Sequence, residues 1–371
     1  MTRQAVIERL AVNPMYQLST AGQELFHTNM LYWLAEEKPA ESAEIWKLFG
    51  VGHPIKAHRE LRHIDLQVDS DHGLLILENK VLALPDPKQL ERYVNRLLAL
   101  KTPDYKSGTS WVLLSLAPPA FEIADCQGVT WRYCSYQDLL PALRATLMHL
   151  EGDDHSILSR YVDLVQDLVT LTMEFDPGLH LDEPFQLSST DVTMLGEARL
   201  VTMVRKQQMS RCAEIVRNRL ITDFRFSPDE VVLGAGISAK SKSGVVEHFQ
   251  THMHGKFERR LGWQLEGLAL RLVGILDPQE SKRIPENLRG DELLKAYPTF
   301  FSFDFDDGLL LAYKGTKDWL RYGGEFRYRY RPFPPETTWR QLIETLVKVS
   351  RRTAEEIPAE DYKKMTAFES P

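Results

Sequence analysis

Asp65, Glu78 and Lys80 are the residues whose types and spacing could do chemistry. The stretch His63-Ile64-Asp65-Leu66-Gln67-Val68-Asp69, the turn Ser70-Asp71-His72-Gly73 and the run Leu74-Leu75-Ile76-Leu77-Glu78-Asn79-Lys80-Val81 read as a β-hairpin. Side chains on a strand alternate faces, so Glu78 and Lys80 project to one side, in the row continued inward by Ile76 and Leu74. Asp65 on the neighbouring strand can join them. Two carboxylates suit a hard cation such as Mg²⁺ or Mn²⁺, which binds few protein oxygens and keeps waters and phosphate oxygens in its shell. An ammonium beside it can orient or help deprotonate an attacking water and offset charge building on a phosphorane-like transition state. The chemistry implied is metal-dependent phosphodiester hydrolysis, with Asp65 and Glu78 as metal ligands.

An Asp on one strand followed by Glu-x-Lys on the next resembles the PD-(D/E)XK nuclease superfamily, with Ile64 where the name has Pro. Three further segments, in order, strengthen the resemblance. Upstream, Gln23-Glu24-Leu25-Phe26-His27-Thr28-Asn29-Met30-Leu31-Tyr32-Trp33-Leu34 is similar to the N-terminal helix of one branch of that superfamily. Glu24, His27, Thr28 and Leu31 share one helical stripe. Downstream, Lys88-Gln89-Leu90-Glu91-Arg92-Tyr93 resembles the branch's Gln-Leu-x-x-Tyr helix, in which Gln89 and Tyr93 share a face. Trp111 to Leu116 and Trp131 to Leu139 look like the closing strands and the following helix of the same core. The resemblance implies an α/β restriction-endonuclease-like core, a mixed central sheet flanked by helices, over residues 1–175. It implies a Mg²⁺- or Mn²⁺-dependent nuclease, DNA before RNA, acting as an endonuclease in phage defence or restriction. Lys80 then positions water, Glu24 assists the metal site, and Gln89 lines it. Tyr93 and His27 are candidates for contact with substrate.

Each of these residues also has a plainer reading. Glu-x-Lys occurs on solvated strand faces, Glu24 could favour a helix dipole from the first turn, and an oxygen-lined Mg²⁺ site does not need the nitrogen of His27. Gln89 and Tyr93 could stand at the edge of the core. What favours a site is the apolar run Leu74 to Leu77, which predicts a strand buried on both faces, so that Glu78 and Lys80 at its end need partners. The alternative function is a catalytically silent nucleic-acid- or protein-binding module on a nuclease scaffold.

The 371 residues, 43% hydrophobic, give a globular chain with room for two domains. No apolar run approaches a membrane span, and the charged start Met-Thr-Arg-Gln-Ala-Val-Ile-Glu lacks a signal-peptide core, so a cytoplasmic protein with no membrane partner is expected. Three cysteines, Cys126, Cys134 and Cys212, without a Cys-x-x-Cys pair, speak against disulfide frameworks and zinc knuckles. The net charge of −7 is uneven: residues 191–371 hold 29 Lys and Arg against 26 Asp and Glu, leaving 16 against 26 before them. An acidic catalytic half needs a positive surface elsewhere to hold nucleic acid, or a protein partner. A homodimer is a further expectation, since cutting both strands of a duplex suits two copies.

The prolines, glycine and hydroxyl cluster of residues 176–190 predict a linker, followed by an α+β domain over 191–371 that could bind nucleic acid or a partner. Its predicted elements are a helix from Thr190 or Asp191 to about Leu220, strands at Glu230–Leu233, Phe257–Trp263, Leu268–Leu276, Phe300–Phe305, Leu309–Tyr313 and Glu325–Tyr330, and a last helix from Pro335 to about Arg352. Gly234-Ala-Gly-Ile-Ser-Ala-Lys240-Ser241 nearly matches a phosphate-cradling loop, but Ala239 replaces the second glycine, and a flexible basic loop is the better expectation. His248, His252 and His254 read as surface or strand-edge residues. Arg327-Tyr328-Arg329-Tyr330-Arg331 puts three guanidiniums on one strand face, suited to phosphate contacts.

Overall fold

Unbroken hydrophobicity from Leu74 to Leu77 demands burial on both faces of a strand, and the structure provides it. The computed structural model describes residues 2–357 except 101–104, 106, 122, 124, 227–230 and 306, with the backbone alone for 20–23. The chain forms two compact units: residues 1–119, 123–176 and 190–207 in one, 120–122, 177–189 and 208–371 in the other.

The first unit opens with helices α1 (Arg3–Val12), α2 (Pro14–Glu37) and α3 (Ala43–Leu48). Asn13 caps α2 by accepting from Met15 N at 2.8 Å, and Pro14 follows it, where a missing N–H costs nothing. Strands β1 (Pro54–Arg59), β2 (Leu66–Ser70) and β3 (Gly73–Lys80) come next, then α4 (Pro87–Leu98), β4 (Thr109–Ser115), β5 (Arg132–Ser135), α5 (Tyr136–Leu147) and α6 (Gly152–Glu174). The five strands form one mixed sheet in the order β1-β2-β3-β4-β5: the first two pairings are antiparallel, the last two parallel. Helices flank this sheet, α2 packing on β1, β2 and β3. Gly73 closes the β2–β3 hairpin at φ +121°, and a Cβ there would lie 2.3 Å from the Gly108 carbonyl that receives the Leu74 N–H, so only glycine fits.

The expected helix from residue 190 is two helices, α7 (Ser189–Glu197) and α8 (Val201–Phe224). Arg199 at φ +58° breaks them apart. The Ala198 carbonyl accepts from Tyr16 Oη at 2.5 Å, a bond within the first unit that holds this corner on α2. Residues 177–189, read as a linker, are part of the second unit instead. Phe185 is buried and its N–H donates to Thr337 O at 2.9 Å, while Trp339 N and Arg340 N donate to Glu183 O and Leu181 O.

The second unit holds β6 (Leu233–Ile237), β7 (Gly244–His254), β8 (Phe257–Glu266), β9 (Ala269–Ile275), α9 (Pro278–Ser281), α10 (Arg289–Ala296), β10 (Leu320–Tyr322), β11 (Phe326–Pro332) and α11 (Trp339–Glu356). Its six strands form an antiparallel sheet, β10-β11-β9-β8-β7-β6. Trp263, Leu265, Leu270 and Leu272 pack with Leu342, Leu346 and Val349 of α11 in one core. Two expected strands are absent here. Phe300–Phe305 and Leu309–Tyr313 are not strands; Phe300 and Phe301 are fully buried as aromatic plugs within an irregular segment. The glycine-rich segment after Leu233 is β6 itself, hairpinned onto β7 through residues 238–243, where Lys240 and Lys242 stand exposed in a basic turn. Glu230, at the start of one expected strand, lies outside the described residues.

Among the described residues no helix is long and apolar enough to cross a membrane. All three thiols are free, Cys134 and Cys212 being buried.

Candidate active site

The antiparallel register of β2 and β3 pairs Leu66 with Leu77, so the next step outward brings Asp65 opposite Glu78. Like charges across a strand pair repel. Here they are held together and countered. Glu78 is 1% exposed, and its Oε1 lies 2.6 Å from Lys80 Nζ, two residues along the same face, as the alternation requires. Gln89 Nε2 on α4 donates to the same oxygen at 2.7 Å and to Tyr93 Oη at 2.6 Å, both hydrogens of one amide thus fixing two groups. Asp65 sits just ahead of β2, after a 3₁₀ turn in which Arg62 and His63 have φ of 58° and 65°. Its Oδ2 accepts the Asn79 N–H at 2.7 Å.

Burial and the neighbouring Asp65 charge push the Glu78 carboxyl up to about 8, despite the pull of Lys80. Asp65 is also raised, by burial first, against the Asn79 N–H and Lys80. Burial alone would lower Lys80, but Glu78, Glu24 and Asp65 outweigh it and raise the ammonium, so it stays charged. Glu78 Oε2 is buried with no hydrogen-bond partner, and so is Oε1 of Gln67, which shares the Asp65 face of β2. Buried oxygens left unpaired beside two crowded carboxyls are what a cation or a shared proton would satisfy. Among the described residues no three His, Cys, Asp and Glu side chains gather as a metal cage. Two carboxylates with neighbouring amide oxygen still fit a cation that keeps most of its own waters.

Asn79, which sequence reading passed over, faces the other way and organises the scaffold. Its amide donates to Thr28 Oγ1 at 3.2 Å and to the Glu24 carbonyl at 3.3 Å, and its Oδ1 accepts from Tyr136 Oη at 2.7 Å. Strand β3 is thereby bound to α2 and α5 through one fully buried side chain. Its position between Glu78 and Lys80 was the only signal available. Glu24, on the same helix as His27, has its Oε1 accept the Ala83 N–H at 2.7 Å, holding the chain just past β3, near enough for its charge to raise Lys80.

The structure does not place His27 at this site. Its ring is 2% exposed, packed against Phe26, Tyr136 and Tyr161, with Nδ1 3.1 Å from Tyr161 Oη, and burial drives it down to about 3. The imidazole is neutral and enclosed by aromatic rings. Of the arginine strand, Arg327 is corrected likewise. Arg327 is 3% exposed, and its guanidinium donates to the carbonyls of Gly324, Phe326 and Glu286 around its own hairpin. Arg329 donates to Phe301 O at 3.0 Å and Arg331 stacks 4.9 Å over the Phe303 ring, both remaining half-buried in the second unit. His248 and His252, expected at the surface, are buried; only His254 is exposed.

No protein-family model, curated protein or solved structure matches this chain.

Proposed function

We propose that the first unit is a divalent-cation-dependent nuclease of PD-(D/E)XK type that hydrolyses phosphodiester bonds, with DNA as substrate. The observation that carries the reading is the buried Asp65–Glu78 carboxyl pair, tied to Lys80 on the same strand face and left with an unpartnered oxygen. A structural ion pair needs one carboxylate; a second one crowded against it is a cost that folding alone does not repay.

Asp65 and Glu78 would hold the cation, with Glu24 supporting the loop beyond β3. When bound, such a cation neutralises phosphate charge and makes water a better nucleophile near neutral pH. Lys80 has three N–H donors, and its hold on Glu78 fixes the ammonium where the others can meet a water or a non-bridging phosphate oxygen. Gln89 locks the Glu78 carboxyl in rotation and keeps Tyr93 Oη at the rim, so the acidic pair is oriented before substrate arrives.

The test is degradation of supercoiled, linear and single-stranded DNA, and of RNA, by wild type and Lys80→Ala with Mg²⁺, Mn²⁺ or EDTA. The expected result is metal-dependent DNA cleavage, lost in EDTA and reduced about 10²–10³-fold by Lys80→Ala. Cleavage that survives Lys80→Ala, or none on any substrate with either metal, overturns the proposal.

A further inference from the structure

Strand β10 covers only Phe326–Tyr328 of β11, so among the described residues the outer edge of Arg329–Arg331 has no strand beside it. Residues 301–304 and 312–320 wrap around that edge and enclose a cavity of about 630 Å³, within the range of small-ligand sites. Because the cavity lies at a strand edge, side chains from both faces of β11 reach it: Arg329 and Arg331 from one, Tyr330 from the other.

The lining has two chemistries side by side. Arg329, Arg331 and Lys317 bring three cations; Asp304 is ion-paired with Arg352 and accepts from Ser302 Oγ at 2.8 Å, which leaves Asp318 as the other carboxylate. Arg329 gives one donor to the Phe301 carbonyl, out of the five a guanidinium carries, and Arg331 is oriented by stacking over Phe303. Forked donors of this kind match phosphate oxygens in pairs. Beside them Tyr313 and Tyr330 meet with ring centroids 4.9 Å apart at 67°, an aromatic corner against which a flat ring can lie.

We propose that this cavity binds a phosphorylated nucleoside, its phosphate on Arg329 with Lys317 at the mouth, and its base against Tyr313 and Tyr330. The ligand is either a free mononucleotide or the phosphorylated end of a nucleic-acid strand, which present the same group. The site stands on residues of the second unit alone and does not depend on cleavage by the first.

The experiment is titration calorimetry of the full-length protein in EDTA, which silences metal-dependent cleavage, with AMP, adenosine, ribose 5-phosphate and a short 5′-phosphorylated oligodeoxynucleotide. AMP or the oligonucleotide is expected to bind, adenosine at least tenfold more weakly than AMP if the free nucleotide is the ligand, and Arg329→Met to weaken binding about tenfold, the value of one good charge-assisted contact. Gly315→Ala is a second variant that keeps every charge: its Cβ would fall 1.9 Å from Tyr313 Oη and 2.0 Å from Cζ, so the ring must leave the corner. It should weaken AMP or the oligonucleotide while leaving ribose 5-phosphate unchanged. Binding of the oligonucleotide alone assigns the strand end. Absence of binding to all four, or binding that ignores Arg329→Met in a variant with an unchanged melting temperature, overturns the proposal, whatever the nuclease assay shows.

Discussion

The crowded carboxyl pair makes the metal-free protein less stable as pH rises, and Glu78→Gln should remove that dependence. The Glu78 carboxyl has an ordinary value of 4.5 and stands at about 8 in the folded chain. Between those two pH values the folded state holds a proton that the unfolded state has released. Stability therefore falls with rising pH across this window, the contribution being complete below 4.5 and gone above about 8. Each pH unit is worth up to about 1.4 kcal/mol, which sets a ceiling of about 5 kcal/mol across the window. Relaxation and water entry around a newly ionised group reduce that to about 2–3 kcal/mol. For a unit of this size, that is a fall of roughly 5–10 °C in melting temperature.

The assay is thermal unfolding in EDTA at several pH values from 5 to 9, on wild type and Glu78→Gln, so that groups outside the Asp65–Glu78–Lys80 cluster cancel in the difference. The substituted amide keeps the size of the side chain and cannot ionise. A cation must displace the proton, so saturating Mg²⁺ should raise the wild-type melting temperature more at pH 8.5 than at pH 6, its apparent affinity improving by up to about tenfold per pH unit below the Glu78 value. Cleavage should rise with pH over the same range. Parallel pH slopes for the two proteins, or a Mg²⁺ effect that does not change with pH, would refute the reasoning.

Asn79→Ala should cost about 2–4 kcal/mol by chemical denaturation, because it removes the bonds to Thr28 and the Glu24 carbonyl and strands the Tyr136 hydroxyl in the core. His27→Phe should leave cleavage within about twofold of wild type and cost about 1 kcal/mol for the lost Tyr161 contact, since the ring it replaces is neutral and caged; a loss of activity as large as that of Lys80→Ala would return His27 to the site. Arg327→Ala should lower stability by about 2–4 kcal/mol while leaving affinity for DNA unchanged in a filter-binding or polarisation assay, because its donors already serve backbone carbonyls.

How far the sequence could be read depended on whether the deciding contact was local. Alternation along β3 placed Glu78 and Lys80 together, and i, i+4 spacing placed Gln89 with Tyr93, because both rules act over a single turn or pleat. Charge misled where distant backbone decided the outcome. Arg327 carries a full charge and still lies inside, since carbonyls of the turn and of Glu286 converge on it only in the folded chain. Strand β7 escaped notice because its inward positions include His248, Gln250 and His252, buried polar residues that erase the apolar alternation. The opposite error produced strands at Phe300–Phe305 and Leu309–Tyr313. There the aromatic pattern is real, but Asp307 and Gly308 turn at φ of 51° and 81°, and the rings fill the core without a ladder.

The mixed sheet explains why a site at this spot can be built from so short a piece of chain. In a purely parallel sheet, the residues leaving one strand meet those leaving its neighbours, and adjacent strands are separated by a long crossover. Here β3 is parallel to β4 but antiparallel to β2, so the residue entering β2 lies beside the residues leaving β3. Asp65 and Glu78 are brought together by one tight hairpin, and their register cannot slip by one residue without turning Glu78 and Lys80 to the Asn79 side, where Thr28 and Tyr136 already hold the amide. On the other flank, Leu116 N donates to the Lys80 carbonyl at 2.9 Å, so the parallel pairing reaches the last residue of the strand and fixes the backbone beneath the ammonium. The positions of all three charged groups are thus set by backbone pairing, and α4 is left to orient them through Gln89.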